Sequence, residues 1–171
     1  MKKAIYPGTF DPITNGHINI LQKATLLFDE VILAVANITG KNTLFTTEER
    51  LNLCRQSVKH IHGVQVVSFD GLVVEFARQI EAVTMVRGLR AVSDFEYELQ
   101  LALMNKSIYQ TIDTIFLVPD SQYLYLSSSM VRQIVGLGGR LHDQIPEVVE
   151  NAIIEKFNAL NLKDLKNKSN I

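Results

Sequence analysis

The segment Tyr6-Pro7-Gly8-Thr9-Phe10-Asp11-Pro12-Ile13-Thr14-Asn15-Gly16-His17 does most to restrict how this chain can fold. A short apolar run of β character, Lys3 to Tyr6, precedes it, and helical periodicity follows it. Two prolines and two glycines give the link a defined shape rather than the freedom of a tether. Thr9 is thereby set just past a strand end, and His17 in the first turn of a helix. In α/β sheets ligands bind there, outside the carboxyl ends of the strands and beside helix N-termini.

The rest of the chain repeats the alternation. Ile20, Leu21, Ala24, Leu27 and Phe28 make the apolar stripe of a helix from about Asn15 to Phe28, with Thr14 or Asn15 as its cap. Val31 to Ala36 is an unbroken apolar run, as in a parallel strand buried on both faces. Thr46-Thr47-Glu48-Glu49 reads as a capping box, opening a helix to about His60 with Leu51, Cys54 and Val58 on one face. Val64 to Phe69, Val83 to Val86 and Thr114 to Val118 read as further strands. Gly71 to Ile80, Ser93 to Tyr109, the stretch opened by Leu126-Ser127-Ser128-Ser129, and Pro146 to about Leu160 read as helices. The pattern predicts one α/β domain over residues 1–160, a doubly wound, five-stranded parallel sheet with helices on both faces. Residues 161–171 have little to bury and are expected to fray.

Right-handed crossovers bring every strand C-terminus to one edge. Thr9, Lys41, Arg87, Arg90 and Ser127 to Ser129 then gather at one rim with His17. The chain has 17 Lys and Arg against 18 Asp and Glu, so it has no global attraction for nucleic acid, and anions must be held by local cations. The rim offers such cations, with hydroxyls and helix N-termini that suit a polyphosphate. Arginine binds phosphate oxygens in pairs, while lysine acts as a mobile point charge. There is no Walker loop, no GxGxxG and no metal-ligand spacing. Such a rim works by positioning and charge stabilisation, with the substrate supplying its own nucleophile.

Other residues read as structural. Asp11 is expected to be a turn residue, Cys54 a core residue, His60, His62 and His142 surface residues, and the Asp94–Glu98 pair a solvated helix face rather than a metal pair. A single Cys rules out an internal disulfide and suits a reducing compartment. No apolar run is long enough to span a bilayer, so a cytoplasmic protein without membrane partners is expected. The helix from Ser93 is apolar on two sides, with Phe95, Leu99 and Ala102 on one and Tyr97, Leu101, Met104 and Ile108 on the other. Such a helix is either sandwiched in a core or shared between subunits. In so small a domain the second is favoured, which predicts a homo-oligomer.

The opening segment resembles the amino-terminal signature of the nucleotidyltransferase superfamily, with Thr14-Asn15-Gly16-His17 as its (His/Thr)-x-Gly-His motif. Arg87-Gly88-Leu89-Arg90-Ala91-Val92-Ser93-Asp94-Phe95-Glu96-Tyr97-Glu98 is similar to the central block of the bacterial phosphopantetheine adenylyltransferase family. Leu126-Ser127-Ser128-Ser129-Met130-Val131-Arg132 resembles that family's Ile-Ser-Ser-Ser motif. The likeness runs from about Lys3 to Leu160 and implies a Rossmann-like fold. It implies a reaction of ATP with 4′-phosphopantetheine that gives dephospho-coenzyme A and pyrophosphate, with Mg²⁺ of unassigned ligands, in a homohexamer.

The resemblance further implies direct in-line attack without a covalent enzyme intermediate. By position, His17 stabilises charge on the α-phosphate and Thr9 orients the reacting phosphates. Lys41 and Arg87 hold the incoming pantetheine phosphate, and Val73 touches the pantetheine arm. Arg90 and Ser127, Ser128 and Ser129 hold the β- and γ-phosphates. Phe10, Gly88, Leu89, Glu98, Tyr123, Leu124, Tyr125 and Leu126 line the nucleotide site. Two departures stand out. Asn37-Ile38-Thr39-Gly40-Lys41-Asn42 keeps Lys41 but lacks the family's proline and second lysine, and Tyr123-Leu124-Tyr125 replaces an aromatic pair that is often Trp-x-Phe. A nucleotidyltransferase with another acceptor, and a nucleotide-binding regulator on the same fold, are the competing readings.

Overall fold

The computed structural model describes residues 2–37, 40 and 42–168, with side chains except at 92–93 and 161–168. Strands β1 (Lys3–Gly8), β2 (Glu30–Ala36), β3 (Val64–Phe69), β4 (Thr84–Gly88) and β5 (Asp113–Leu117) form one parallel sheet in the order β3-β2-β1-β4-β5. Helices α1 (Asn15–Thr25), α2 (Thr47–Val58), α3 (Val73–Gln79), α4 (Val92–Ile108), α5 (Ser128–Gly136) and α6 (Glu147–Lys168) accompany it, with one 3-10 turn at Ser121–Tyr123.

The strand order reverses at β1. The chain steps outward from β1 to β2 and β3, then returns past β1 to β4 and β5. Right-handed crossovers therefore place α1 and α2 on one face and α3 and α4 on the other. The side chains follow this division. Tyr6, Leu33, Val35 and Val86 pack with Leu21 of α1, Leu51 and Cys54 of α2, Val131 of α5 and Val149 of α6. Ile5, Ile32, Ala34 and Met85 pack with Val74 and Ala77 of α3. Successive strand residues point to opposite faces, and here both faces are covered. That is why the strands read as unbroken apolar runs, and the sheet is the doubly wound one expected. Between β1 and β4, connections leave on opposite faces and open a crevice at the C-terminal edge.

Element ends differ from expectation in several places. β1 runs on through Pro7 and Gly8, which pair with Ala34 and Val35. β4 likewise reaches Gly88, so Arg87 and Gly88 are strand residues opposite Phe116 and Leu117, not loop residues. α1 stops at Thr25, where the N–H of Leu26 turns back to the carbonyl of Lys23 and that of Leu27 to the carbonyl of Ala24. α6 continues past Leu160 to Lys168 through a stretch free of Gly and Pro and containing good helix formers.

The faces of α4 also differ. Its inward side carries Asp94, Glu98, Leu101 and Asn105, and Glu98 is buried. Phe95, Tyr97, Leu99, Leu103, Met104 and Ile108 are 38% to 63% exposed. Each apolar stripe inferred from the sequence is thus split: Leu101 and Ala102 are half-buried while the rest face outward, because polar partners on β4 claim much of the inner side: Glu98 meets Arg87, and Asn105 meets the Met85 sulfur.

Candidate active site

The crevice begins where β1 ends. Phe10 adopts a left-handed φ of 48° and folds its ring back over Gly8, where a Cβ would lie 2.8 Å from the ring. The ring is 3% exposed and packs edge-on against Tyr6 at 5.5 Å and His17 at 5.1 Å. Asp11 is also 3% exposed and accepts the backbone N–H of Leu44 at 2.8 Å and of Phe45 at 3.0 Å. It pairs with Arg132 at 3.3 Å, and Arg132 also donates to the Asp11 carbonyl. Asp11 therefore joins the loops after β1 and β2 rather than merely turning the chain.

Thr14 caps α1, and its hydroxyl accepts the His17 N–H at 3.4 Å. In return Nδ1 of His17 accepts the Thr14 N–H at 3.0 Å and lies 2.9 Å from the Thr14 hydroxyl. This is a capping box in which histidine takes the place of glutamate. A ring nitrogen that accepts a backbone N–H carries no proton, so the proton of the neutral ring sits on Nε2. Burial, then Arg90 and Arg87, push the imidazole down to about 4. His17 is thus a neutral hydrogen-bond donor at physiological pH.

Arg87 projects from β4. Its Nε and Nη2 donate to the two oxygens of Glu98 at 2.7 and 2.6 Å, and Nη1 donates to the Pro7 carbonyl at 2.9 Å. Of the five guanidinium N–H groups, three are engaged, and two remain, one each on Nη1 and Nη2. Burial lowers the Arg87 pKa, but the hydrogen bonds and charge of Glu98 outweigh it and the net shift is upward. Arg90 donates to the Leu126 carbonyl at 2.9 Å and pairs with Asp94 at 3.3 Å. Tyr6 lies beneath them at 5% exposure, its phenol raised by burial against the pull of Arg87 and Arg90.

The start of α5 closes the opposite side. Ser127 is its cap and accepts the Met130 N–H at 3.2 Å. Ser129 lies 3.1 Å from the Ser127 hydroxyl, while the hydroxyl of Ser128 donates to the Pro12 carbonyl at 2.8 Å. The cavity between them is open to solvent and holds about 360 Å³. Of the residues singled out in the sequence, Thr9, Phe10, His17, Arg87, Gly88, Arg90, Glu98, Tyr123, Leu126 and Ser127 to Ser129 line it. Leu89, Leu124 and Tyr125 do not, and Tyr125 is 84% exposed. Lys41 lies outside the described residues. A second cavity of about 320 Å³ is lined by Val73, Phe69, Met85, Leu101 and Ala102. The two share Pro7, Gly8, Thr9, Arg87 and Glu98.

Sequence reasoning passed over Tyr6, Asp11 and Arg132 as parts of this wall. Arg132 closes the quoted serine motif and sits one turn into α5, which was its available signal. Tyr6 had the alternation of β1 as a signal, since it falls on the same face as Ala4, the face that α1 covers.

The distribution of charge sets the class. A nucleoside triphosphate needs cations and free helix N–H groups at its tail and a donor at its α-phosphate. A switch-point crevice with Arg90 and the α5 start on one side and His17 on the other meets that need, as in a nucleotidyltransferase. The cytidylyltransferase-like family profile matches residues 5–134, from β1 into α5. A phosphopantetheine adenylyltransferase of Moorella thermoacetica is 51% identical over 160 residues, covering 94% of this chain and 100% of the relative. Those of Dictyoglomus turgidum and Desulfitobacterium hafniense are 49% and 50% identical over 157 residues, each covering 92% of this chain and 98% and 96% of the relative. The chain belongs to the phosphopantetheine adenylyltransferase family. The fold is shared more widely. A Vibrio parahaemolyticus crystal structure assigned as a nicotinate-nucleotide adenylyltransferase superposes with a TM-score of 0.70 at 18% identity, over 90% of this chain and 99% of that one.

Proposed function

We propose that this chain transfers the adenylyl group of ATP to 4′-phosphopantetheine, giving dephospho-coenzyme A and pyrophosphate in coenzyme A biosynthesis, in the cytoplasm. Family membership supports the reading, and the observation that carries it is the pair of cavities meeting at one wall. The first cavity, with Arg90 and the α5 serines, suits a triphosphate, and the second, somewhat more apolar, suits a thin, flexible arm against Val73, Leu101 and Ala102. The acceptor phosphate then reaches Thr9 and the two free N–H groups of Arg87. Lys41, which follows β2 in the sequence, supplies a second cation for it by family likeness. ATP lays its β- and γ-phosphates at Arg90 and the α5 serines. Its base lies toward Gly88, Leu89 and the stretch Tyr123, Leu124, Tyr125 and Leu126.

A monoester phosphate has its second pKa near ~6 and needs no base to become a nucleophile. One of its oxygens attacks the α-phosphorus in line. The new P–O bond forms as the bond to the bridging oxygen breaks, and pyrophosphate leaves with that electron pair. Nε2–H of His17 donates to the α-phosphate oxygens as their charge grows. The cations offset the repulsion between two anions brought together.

Mg²⁺ fits this site as a companion of the nucleotide. Among the described residues no three of His, Cys, Asp and Glu converge. The wall carboxylates Asp11, Glu98 and Asp94 are already paired with arginines. The chain could offer hydroxyls of Thr9 and Ser129 to a cation held chiefly by phosphate oxygens and water. Bound there, it would neutralise the departing pyrophosphate.

The exposed apolar face of α4 supports a homo-oligomer, a hexamer by family likeness. Phe95, Tyr97, Leu99, Leu103, Met104 and Ile108 all reach solvent on this one helix, and grouped exposed apolar side chains mark an interaction surface. Met104→Glu should reduce the sedimentation coefficient, whereas a wild-type monomer at micromolar concentration would remove the proposal. The reaction is tested by pyrophosphate release from purified protein with phosphopantetheine, glycerol phosphate or nicotinamide mononucleotide. Turnover with the first alone is expected. Preference for another acceptor, or ATP binding without turnover, overturns it.

A further inference from the structure

Arg50, on the first turn of α2, is 1% exposed, and among the described residues no carboxylate is in hydrogen-bond contact with it. Asp11 acts on it only through space. Its Nη1 donates to the carbonyls of Thr9 at 2.7 Å and Ala36 at 2.8 Å. Its Nη2 donates to the Thr47 hydroxyl at 2.9 Å and reaches the Asn37 carbonyl at 3.5 Å. Nε is buried without a partner.

A buried guanidinium without a bound anion is costly, and an apolar side chain of similar volume would fill the space at less expense. What no apolar side chain can do is tie together carbonyls from different segments. The planar fork does so here. It joins the residue just past β1 to the last residue of β2 and its successor, the two strand exits that flank the crevice.

The tie to Thr9 has a geometric consequence. In a trans peptide the C=O and the following N–H point in opposite directions. Thr9 and Phe10 line the first cavity and Arg50 does not. With the Thr9 carbonyl drawn toward Arg50, the Phe10 N–H is turned away from it, to the cavity side. Among the described residues that N–H has no backbone acceptor outside the strands and helices. Phe10 also stands at a φ of 48°, a conformation a non-glycine residue keeps only when its surroundings impose it.

We propose that Arg50 is a positioning residue for adenylyl transfer: by holding the Thr9 carbonyl it presents the Phe10 N–H to the phosphates of ATP and fixes the β1 exit against that of β2. This rests on the reaction proposed above. Arg50 touches no substrate and acts through the Thr9–Phe10 peptide. Lysine could satisfy one carbonyl but not the set, and methionine none.

The test uses the full chain, its Arg50→Met and Arg50→Lys variants, and ¹⁵N labelling to follow the Phe10 amide during an ATP titration. In wild type the Phe10 amide resonance moves on ATP binding. In Arg50→Met that response is lost, and kcat per folded molecule falls by about tenfold or more while the KM for phosphopantetheine changes less. Arg50→Lys falls between. If Arg50→Met melts earlier but keeps kcat and the Phe10 response, Arg50 is a structural residue only and the proposal is overturned. If Arg50→Met does not fold, the same readings on Arg50→Lys decide, and a wild-type response there overturns it. A wild-type chain that binds ATP but adenylates no phosphopantetheine sinks the proposed reaction, and the Phe10 response still decides the role of Arg50.

Discussion

Thr14 and His17 hold each other from both ends. The Thr14 hydroxyl accepts the His17 backbone N–H, and Nδ1 of His17 accepts the Thr14 backbone N–H. Helix cap and imidazole tautomer are therefore one device, and loosening one should disturb the other. Thr14→Val keeps the shape but loses the hydroxyl. It should cost about 1 kcal/mol in a denaturant melt, as cap losses do. It should also lower kcat several-fold because the ring is less firmly aimed. A Thr14→Val protein destabilised but fully active would separate the cap from the catalytic geometry.

His17 itself supplies one donor to developing charge. His17→Ala should lose on the order of a hundred- to a thousand-fold in kcat, the usual range for one such donor. Its affinity for ATP, read by calorimetry, should change little, because Arg90 and the α5 start remain. Near-full turnover in this variant would contradict the assignment.

The depressed pKa of His17 also makes a prediction about pH. The folded value, about 4, lies below the 6.5 of an unperturbed histidine. As pH falls, the unfolded chain takes up this proton first, so the stability contributed by the neutral ring is complete above pH 6.5 and is lost as pH falls through 4. The melting temperature of wild type should therefore drop more on acidification than that of His17→Gln. The rate should show no histidine limb between neutrality and mild alkalinity, since the ring is already neutral there. Equal acid sensitivity in both proteins would mean that the ring is not held as described.

What the sequence disclosed and what it hid differ in range. The Thr46–Glu49 capping box spans one helical turn, and both of its hydrogen bonds are present, at 3.3 and 2.8 Å. The parallel sheet was legible because both of its faces are buried. Arg50 and Asp11 were not legible as parts of the site, because their partners are distant. Arg50 reaches Thr9 41 residues away, and Asp11 reaches Phe45 34 residues away. A signal for Arg50 did exist: with Cys54 and Ser57 it forms an i, i+4, i+7 stripe, and all three are buried. The inward side of α4 was not legible, because a helix with apolar residues all round has no dominant face. Contacts between elements, Arg87 with Glu98 above all, tell which side turns inward.

That pair supports a further prediction. Glu98 engages Nε and one N–H of Nη2 of Arg87, which aims the remaining Nη1 and Nη2 donors in one direction. Glu98→Gln keeps one acceptor but removes the charge. Arg87 should then sample other rotamers, and its grip on the acceptor phosphate should weaken. A charge-assisted hydrogen bond contributes about 1.5–3 kcal/mol, and losing part of that corresponds to a rise of about tenfold in the KM for phosphopantetheine. The KM for ATP should rise less, because Arg87 is shared between the cavities but Arg90 is not. Equal effects on both substrates would argue that Glu98 serves the nucleotide directly.

Gly8 is small for a reason its turn-like neighbours concealed. It is a strand residue, paired with Val35, so no positive φ demands glycine there. The demand comes from Phe10, whose ring covers it, so that a Cβ would meet ring carbons at 2.8 and 2.9 Å. Those distances cannot be absorbed without moving the ring. The ring cannot move freely, because it packs between Tyr6 and His17. Gly8→Ala should therefore displace Phe10 and with it the face on which the imidazole rests. Overpacking of this kind costs about 1–3 kcal/mol. The catalytic loss should exceed what a fall in folded fraction explains, and the double variant Gly8→Ala with Phe10→Leu should recover part of the stability by making room. Measured melts and kcat for the two single variants and the double variant would show this as a non-additive cycle. Additive effects would mean that Gly8 and Phe10 do not constrain each other.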